Sequence, residues 1–200
     1  MIPFLTRRDI LALPIASGVL NLFRRSAMAA VGDIIDDLSA PHPRAATGAE
    51  WEFIADRVMG GVSEGSMGRE IVSGRPALRM QGDVSLENNG GFLQVALDLA
   101  PDGSTVDASG WTGIEIDALG NGERYNLHLR TADVTRPWQS YRQSFMASSD
   151  WRTHRLPFAD FEPHRIDAPL DPGALRRIGV VAIGRVFFAD VAIAGARFYA

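Results

Sequence analysis

Hydrophobic and polar residues alternate with a period of two over several short segments of this chain. Over residues 92–99 every second position is apolar, and the same alternation recurs over residues 114–118. The apolar face of the first of these segments consists of Leu93, Val95, Leu97 and Leu99. This alternation predicts β-strands that bury one face and leave the other polar.

Gly, Pro, Asn and Asp bound these segments, as is typical of strands joined by turns. The pair Asn121-Gly122 predicts a tight turn, because type I′ geometry needs positive φ at both central residues. The strand returning from it then turns Tyr125, Leu127 and Leu129 inward. Further strands are predicted over residues 51–55, 77–80, 139–146, 151–156, 178–183 and 191–199.

Helical periodicity is weak throughout, and only residues 33–38 and 172–177 have the pattern of a short helical turn. Many short strands and few helices predict an all-β fold, a β-sandwich or jelly roll of antiparallel strands. We expect residues 49–200 to form this single domain. The polar, Pro-containing residues 30–48 predict a flexible lead-in to it.

Residues 1–29 have the pattern of a twin-arginine signal peptide. The pair Arg7-Arg8 precedes a moderately hydrophobic stretch that is shorter than the roughly 20 apolar residues of a membrane-spanning helix. Ala27-Met28-Ala29 then provides a small-x-small cleavage pattern. We therefore expect a periplasmic protein with no transmembrane segment in its mature chain. The alternatives are a retained anchor or an uncleaved N-terminal helix, which would leave the protein cytoplasmic or membrane-associated.

Charge and cysteine content exclude several classes of function. The net charge is −4 and the mature region has no block of basic residues, so a nucleic-acid surface is not expected. The chain contains no cysteine, which excludes disulfides, thiolate zinc sites, iron–sulfur clusters and thiol nucleophiles. The fold must therefore be stabilised by its core.

Two glycine-rich motifs lie between the predicted strands, at residues 56–63 and 86–92. A glycine pair can adopt positive φ or allow a close backbone approach, and neighbouring Asp, Asn and Ser side chains can bond to loop backbone. These motifs predict binding loops or loops of fixed shape. Their candidate residues are Asp56, Met59, Gly60, Gly61, Ser63, Glu87, Asn88, Asn89, Gly90, Gly91 and Phe92.

The two motifs, in this order and at this spacing, resemble those of the complex I intermediate-associated protein 30 family. The resemblance extends from about residue 51 to the C-terminus, with weaker matches over residues 119–130, 141–145 and 151–161. It implies a galactose-binding-like β-sandwich without enzyme activity. It also implies a protein partner among respiratory complex I subunits or assembly intermediates, since mitochondrial members assist complex I assembly.

Asp56, Glu87, Asn88 and Asn89 carry oxygen ligands of the kind that calcium prefers. The alternative interpretation is that these side chains bond only to backbone and fix the two loops, which is the commoner duty of Asx residues. We favour the second interpretation. No cofactor is therefore expected, with a structural calcium ion as the alternative.

A second set of candidate residues lies on the strand after the Asn121-Gly122 turn and on the segment that follows. Alternation places Asn126, His128 and Arg130 in a row on one strand face. This row forms either a solvated outer face or, with residues of the next segment, a polar groove for a saccharide. The partners predicted for such a groove are Trp138, Tyr141 and Arg142, and each aromatic residue is equally suited to the core.

The run Gly61-Val-Ser-Glu-Gly65 matches the nucleophile elbow of α/β-hydrolases, but its all-β context excludes that interpretation. Two functional hypotheses follow. The first is a non-catalytic protein-interaction module related to complex I assembly factors. The second is an exported carbohydrate- or small-ligand-binding domain of the cell envelope, which the predicted signal peptide favours.

Overall fold

Twelve β-strands form most of the chain that this computed structural model describes, residues 32–200. They are β1 (Ile34–Asp36), β2 (Trp51–Ala55), β3 (Glu64–Val72), β4 (Arg75–Val84), β5 (Phe92–Asp98), β6 (Gly113–Gly120), β7 (Glu123–Thr131), β8 (Ser140–Ala147), β9 (Arg152–Pro157), β10 (Glu162–His164), β11 (Leu175–Ile183) and β12 (Phe187–Tyr199). Short 3-10 helices occupy Asp56–Met59, Glu87–Asn89, Phe158–Asp160 and Pro172–Ala174. The predicted signal peptide lies outside the described residues.

The strands form two antiparallel sheets of six strands each. The back sheet has the order β3-β4-β12-β6-β9, with β1 paired to the C-terminal part of β12. The front sheet has the order β10-β8-β7-β11-β5-β2. The predicted all-β sandwich is therefore confirmed. None of the described helices is long and apolar enough to cross a membrane.

The core lies between the two sheets and follows the alternation in the sequence. Leu93, Val95 and Leu97 of β5 are buried, as are the inward residues of β7, among them Tyr125 and Leu127. Strand β11 contributes Leu175, Ile178, Val180 and Ala182 to the same cluster. The predicted inward faces of β5 and β7 are thus confirmed.

The helical turn predicted over residues 33–38 is wrong, and so is the flexible lead-in predicted over residues 30–48 where the structure describes it, from residue 32 onward. Residues 34–36 form β1, and Ile35 packs into the main core with no exposed surface. The buried Asp36 carboxylate accepts a hydrogen bond from Trp51 Nε1 at 2.8 Å. The segment is therefore part of the sandwich, because an apolar and a polar anchor attach it to the domain.

The Asn121-Gly122 turn exists, but it joins β6 of the back sheet to β7 of the front sheet instead of closing a hairpin. Gly122 has a positive φ of 81° whereas Asn121 does not, so the turn is not type I′. The Asn121 side chain donates to Phe188 O in the back sheet at 2.7 Å and accepts from Tyr125 Oη in the front sheet at 2.8 Å. These bonds fix the crossing between the sheets.

Two further differences concern element boundaries. Strand β3 was not predicted, because most of its side chains are exposed or partly exposed and no clear apolar alternation marks it. The helical turn predicted over residues 172–177 is limited to Pro172–Ala174, where Asp171 accepts a hydrogen bond from Gly173 N at 2.9 Å. Leu175 then begins β11.

Candidate ligand-binding groove

The two glycine-rich motifs are joined through the side chain of Asp56. Asp56 follows β2 and is fully buried. Its carboxylate accepts hydrogen bonds from Ser63 N at 2.9 Å and Ser63 Oγ at 2.5 Å within the first motif. It also accepts from Gly91 N at 2.5 Å and Phe92 N at 3.3 Å in the second. One carboxylate therefore holds both loops together.

Each of the two glycine pairs beside this carboxylate combines one glycine of positive φ with one that packs against the Asp56 side chain. Gly60 and Gly91 have positive φ values of 89° and 132°, which L-residues rarely adopt. At Gly61 a Cβ atom would lie 2.4 Å from Asp56 Cγ, and at Gly90 it would lie 2.5 Å from Asp56 Oδ2. In each pair, one glycine makes the turn and the other leaves space for the carboxylate.

Asp56 remains ionised because its hydrogen bonds outweigh its burial. Burial acts to raise the pKa of its carboxyl group, but the bonds from Ser63, Gly91 and Phe92 hold that pKa below its usual value. The carboxylate is thus a permanent acceptor at neutral pH. Its negative charge is shared among backbone and hydroxyl donors.

This arrangement favours the loop-fixing interpretation over a calcium site. Both oxygens of Asp56 are occupied by donors of the protein, while Glu87, Asn88 and Asn89 are exposed. Within residues 32–200, no three His, Asp or Glu side chains gather as ligands for a metal ion. Glu87 O instead accepts a hydrogen bond from Gly90 N at 3.0 Å, which closes the second loop.

A groove of about 720 Å³ crosses the outer face of the front sheet. It is lined by residues from all six strands of this sheet, from Ile54 on β2 to His164 on β10. Six strands at a spacing of about 4.8 Å extend roughly 24 Å, which suits an extended ligand better than a single small one. We call this surface the front groove.

The two ends of the front groove have apolar rims. At one end, the loops fixed by Asp56 place Val58, Met59 and Gly90 along the groove, and the side chains of Val58 and Met59 are largely exposed. At the other end, the loop between β7 and β8 contributes Pro137 and Trp138, and Trp138 is 49% exposed. The glycine-rich motifs therefore shape one wall of the groove as well as their own loops.

Basic side chains of β7 and β8 line one part of the front groove, and apolar side chains of β5 and β11 line another. His128 and Arg130 of β7 lie beside Arg142 of β8, and the pairing of the two strands places His128 directly opposite Arg142. Gly179 of β11 lies on the other side of His128. A Cβ atom at Gly179 would lie 2.5 Å from Gln94 Nε2, so the missing side chain leaves room for Gln94 on the floor.

Not all of the residues predicted to form a groove contribute to it. His128, Arg130, Trp138 and Arg142 line it, whereas Asn126 shares their sheet face without lining the cavity. Tyr141 is a core residue with no exposed surface, and its hydroxyl donates to Ala168 O at 3.0 Å. Its assignment to the groove is wrong, because adjacent residues of β8 face opposite sides of the sheet and Arg142 faces the groove.

Several lining residues were not predicted from the sequence. Gln94 lies on the polar face that alternation gave to β5, so that signal was available. His164 lies on β10, a strand of only three residues that no pattern marks. Arg165 and Gln139 are loop residues that only the tertiary structure brings to the groove.

The geometry around Ser63 does not support a hydrolase. Ser63 is fully buried, its hydroxyl group donates to Asp56, and β3 follows it instead of a helix. None of the hydrogen bonds among the described residues joins Ser63 to a histidine. Ser63 therefore helps to fix the two loops.

Comparison with known proteins places the chain in a family. The model of the family described as Complex I intermediate-associated protein 30 (CIA30) matches residues 41–189. The chain belongs to this family. The resemblance seen in the two glycine-rich motifs is thus confirmed for this CIA30 protein, and the motifs are the loops that Asp56 joins. No curated protein matches the chain.

Solved structures similar to this chain include carbohydrate-binding modules. A family 11 module from Clostridium thermocellum, in complex with a β-1,3-1,4-mixed-linked tetrasaccharide, has a TM-score of 0.64 and 14% sequence identity over 84% of this chain and 94% of that one. A family 30 module of a Clostridium thermocellum cellulosomal cellulase has a TM-score of 0.56 and 14% identity over 86% and 95% of the two chains. These similarities confirm the galactose-binding-like β-sandwich fold.

Proposed function

We propose that this CIA30 protein is a non-catalytic binding module that holds a saccharide chain in the front groove. The observation that carries the proposal is the groove itself, which crosses all six strands of the front sheet and has an exposed tryptophan at one end. Aromatic faces and planar polar groups are the chemistry that saccharides need, because a sugar ring has apolar faces and hydroxyl edges. The fold shared with carbohydrate-binding modules supports this choice.

A glycan array followed by calorimetric titration of the domain tests the proposal. We expect binding of at least one oligosaccharide class, weakened by Trp138→Ala by about tenfold or more, since tryptophan is enriched among the few residues that carry most of the binding energy. Phe188→Ala is a matched control, because Phe188 is 50% exposed but belongs to β12 of the back sheet. No binding across a broad panel, or equal losses in both variants, would contradict the proposal.

A second candidate function is the capture of a complex I subunit or assembly intermediate. Family membership supports it, and so does the exposed apolar pair Val58 and Met59 on the rim built by the family's own motif. Deletion of the gene should then lower the abundance of assembled complex I. Val58→Ser with Met59→Ser should prevent co-purification with complex I subunits, while Ile71→Ser on β3 should not. Unchanged NADH:quinone activity and complex abundance would exclude this role.

Cellular location separates these two candidates. We propose export through the twin-arginine signal at residues 1–29, which lies outside the described residues and is supported by its sequence pattern. Fractionation of a C-terminally tagged protein should find a shortened form in the periplasm, and Arg7→Lys with Arg8→Lys should prevent its export. Full-length protein in the cytoplasm would instead favour the complex I role, since the soluble assembly steps of that complex face the cytoplasm or matrix.

A further inference from the structure

The front groove contains positive charge without acidic residues. The described residues that line the groove include no Asp or Glu, although the whole chain has a net charge of −4. All of its permanently charged lining residues are arginines, since the chain contains no lysine. The basic lining residues are His128, Arg130, Arg142, His164, Arg165 and Arg177.

Among the described residues, acidic partners are found for only one of the groove arginines, Arg177. Arg177 forms ion pairs with Asp98 at 2.5 Å and with Glu52 at 3.1 Å. Within residues 32–200, no carboxylate lies within the 4.0 Å ion-pair distance of Arg130, Arg142 or Arg165. Three guanidinium groups of the groove therefore form no ion pair with any described residue.

The polar contacts of these arginines leave most of their donors unused. Arg130 donates to Arg136 O at 3.1 Å, and its buried Nε atom has no hydrogen-bond partner. Arg142 donates from Nε to Ser140 Oγ at 2.9 Å. Glu162 is paired with Arg142 across β8 and β10, yet the two side chains form no ion pair. A guanidinium has five N–H donors, so both side chains can bind a further acceptor.

Several arginines of the back sheet, in contrast, form ion pairs with acidic side chains. There Arg79 forms a two-pronged ion pair with Asp190, with both contacts at 2.7 Å. Arg75 pairs with Asp117 at 3.2 Å, and Arg155 pairs with Glu115 at 2.7 Å. Three arginines of the back sheet thus have acidic partners, whereas Arg130, Arg142 and Arg165 of the groove form no ion pair among the described residues.

Burial and neighbouring positive charges lower the pKa values of the two groove histidines. Burial, reinforced by the charges of Arg142, His164 and Arg130, lowers the pKa of His128 to about 3. His128 is 8% exposed, and its Nε2 atom is buried without a hydrogen-bond partner. Burial and the charges of Arg142 and Arg165 also lower the pKa of His164. The side-chain charges that lower the pKa of these two rings are those of neighbouring basic residues.

We propose that the ligand of the front groove is an acidic saccharide, a chain of uronic acid units whose carboxylates bind Arg130, Arg142 and Arg165. This inference rests on the saccharide-binding function proposed above and adds the charge of the ligand. Guanidinium forks match carboxylates in two-pronged geometry, and Arg130 and Arg142 lie on neighbouring strands. The apolar rims at Trp138 and Met59 then contact sugar faces between the charged groups.

Calorimetric titration with matched oligosaccharides tests the charge of the ligand. The probes are oligogalacturonate and oligomannuronate, the methyl ester of the first, a neutral mixed-linked β-glucan, and a poly-glutamate peptide of similar length. We expect an oligouronate to bind at least about tenfold more tightly than the ester, since hydrogen bonds to charged groups are the stronger ones. Affinity should fall as salt rises from 20 to 500 mM, because screening weakens exposed charge pairs.

Two variants separate specific from general charge effects. Arg142→Gln should weaken oligouronate binding about tenfold or more without affecting neutral glucan. Arg152→Gln removes an exposed, unpaired arginine from β9 of the back sheet and should leave binding unchanged. Equal losses in both variants would show non-specific attraction and overturn the inference.

The remaining outcomes distinguish this inference from the proposed function. Equal affinity for oligouronate and its ester, or preference for neutral glucan, overturns the acidic ligand but leaves saccharide binding intact. Tighter binding of poly-glutamate than of either oligouronate overturns the saccharide and indicates an acidic peptide. Binding of none of the five probes counts against the inference, and only the broad glycan panel decides the proposed function.

Discussion

At the residue scale, the most consequential side chain is the Asp56 carboxylate. It is the common acceptor for two loops that are separated by more than twenty residues in sequence, and it has no exposed surface. Buried donors that lose their acceptor cost more than a hydrogen bond contributes, because they are left neither paired nor hydrated. The carboxylate is therefore a structural requirement for both loops and for the groove wall that they form.

We expect Asp56→Ala to lower the free energy of unfolding by about 1–3 kcal/mol, because it leaves buried donors of Ser63 and Gly91 unpaired. Urea denaturation measures this change. Asp150→Ala is the control, since Asp150 is exposed and its side chain forms no ion pair in the described structure. A melting temperature of the wild type that rises with calcium would contradict the loop-fixing role.

The same carboxylate gives a predicted pH dependence. The folded pKa of Asp56 is lower than the unfolded value of about 3.9, so its stabilisation is present above that value and is lost as pH falls through the folded pKa. The difference in unfolding free energy between wild type and Asp56→Ala should stay constant from about pH 7 to pH 5. It should shrink below about pH 4. A difference that grows with acid would contradict the assigned pKa direction.

Gly61→Ala tests the space that the carboxylate occupies. The new Cβ atom would lie 2.4 Å from Asp56 Cγ, so either the loop or the carboxylate must move, at a cost of about 1–3 kcal/mol. Gly68→Ala on β3 is a matched control, because no atom lies within 4 Å of a Cβ atom placed there. Thermal unfolding of both variants measures the difference. Equal melting temperatures would show that the loop relaxes freely.

At the element scale, alternation in the sequence predicts strands well but does not say which sheet a strand joins. The Asn121-Gly122 turn shows this limit, since a two-residue turn of the same local sequence can close a hairpin or cross between sheets. The crossing depends on Asn121 contacts with Phe188 and Tyr125, which are 67 and 4 residues away. Alternation in the sequence cannot predict the contact with Phe188, because the two residues are far apart along the chain.

The candidate site could be predicted only as far as strand alternation extends. Alternation placed His128 and Arg130 on one face of β7, and the structure brings both to the front groove. It did not decide which face of β8 is buried, so Tyr141 and Arg142 were both assigned to the groove although only Arg142 lines it. Arg165 lies in a loop where no periodicity exists, and its position follows from the whole fold.

Two neighbouring residues of β1 test whether this strand is anchored in the core. Ile35→Ala should cost about 2–5 kcal/mol of unfolding free energy, because Ile35 is fully buried in the main core. Ile34→Ala should cost far less, since Ile34 is 48% exposed. Urea denaturation of the two variants compares them directly. Similarly small losses of unfolding free energy in both variants would show that β1 is not anchored in the core and would support the predicted flexible lead-in.

At the scale of the whole molecule, Arg79 of the back sheet and Arg142 of the front groove have opposite electrostatic surroundings. The back sheet neutralises Arg79 with Asp190, which raises the pKa of that guanidinium. In the front groove, burial and the charge of Arg165 lower the pKa of Arg142. An arginine whose charged form is less favourable in the folded state than in the unfolded state lowers the free energy of unfolding. Binding sites commonly contain such destabilising groups.

This contrast predicts opposite effects of the same substitution on stability. Arg79→Gln should lower the unfolding free energy by about 1 kcal/mol, because it removes a two-pronged ion pair and leaves Asp190 without its partner. Arg142→Gln should leave it unchanged or raise it, because the substitution removes a half-buried, unneutralised charge. Urea denaturation at low salt measures both, and high salt should reduce the difference. If Arg142→Gln destabilises the domain as much as Arg79→Gln does, Arg142 serves the fold. A stable Arg142→Gln domain that has lost its ligand would instead show that this arginine is retained for binding.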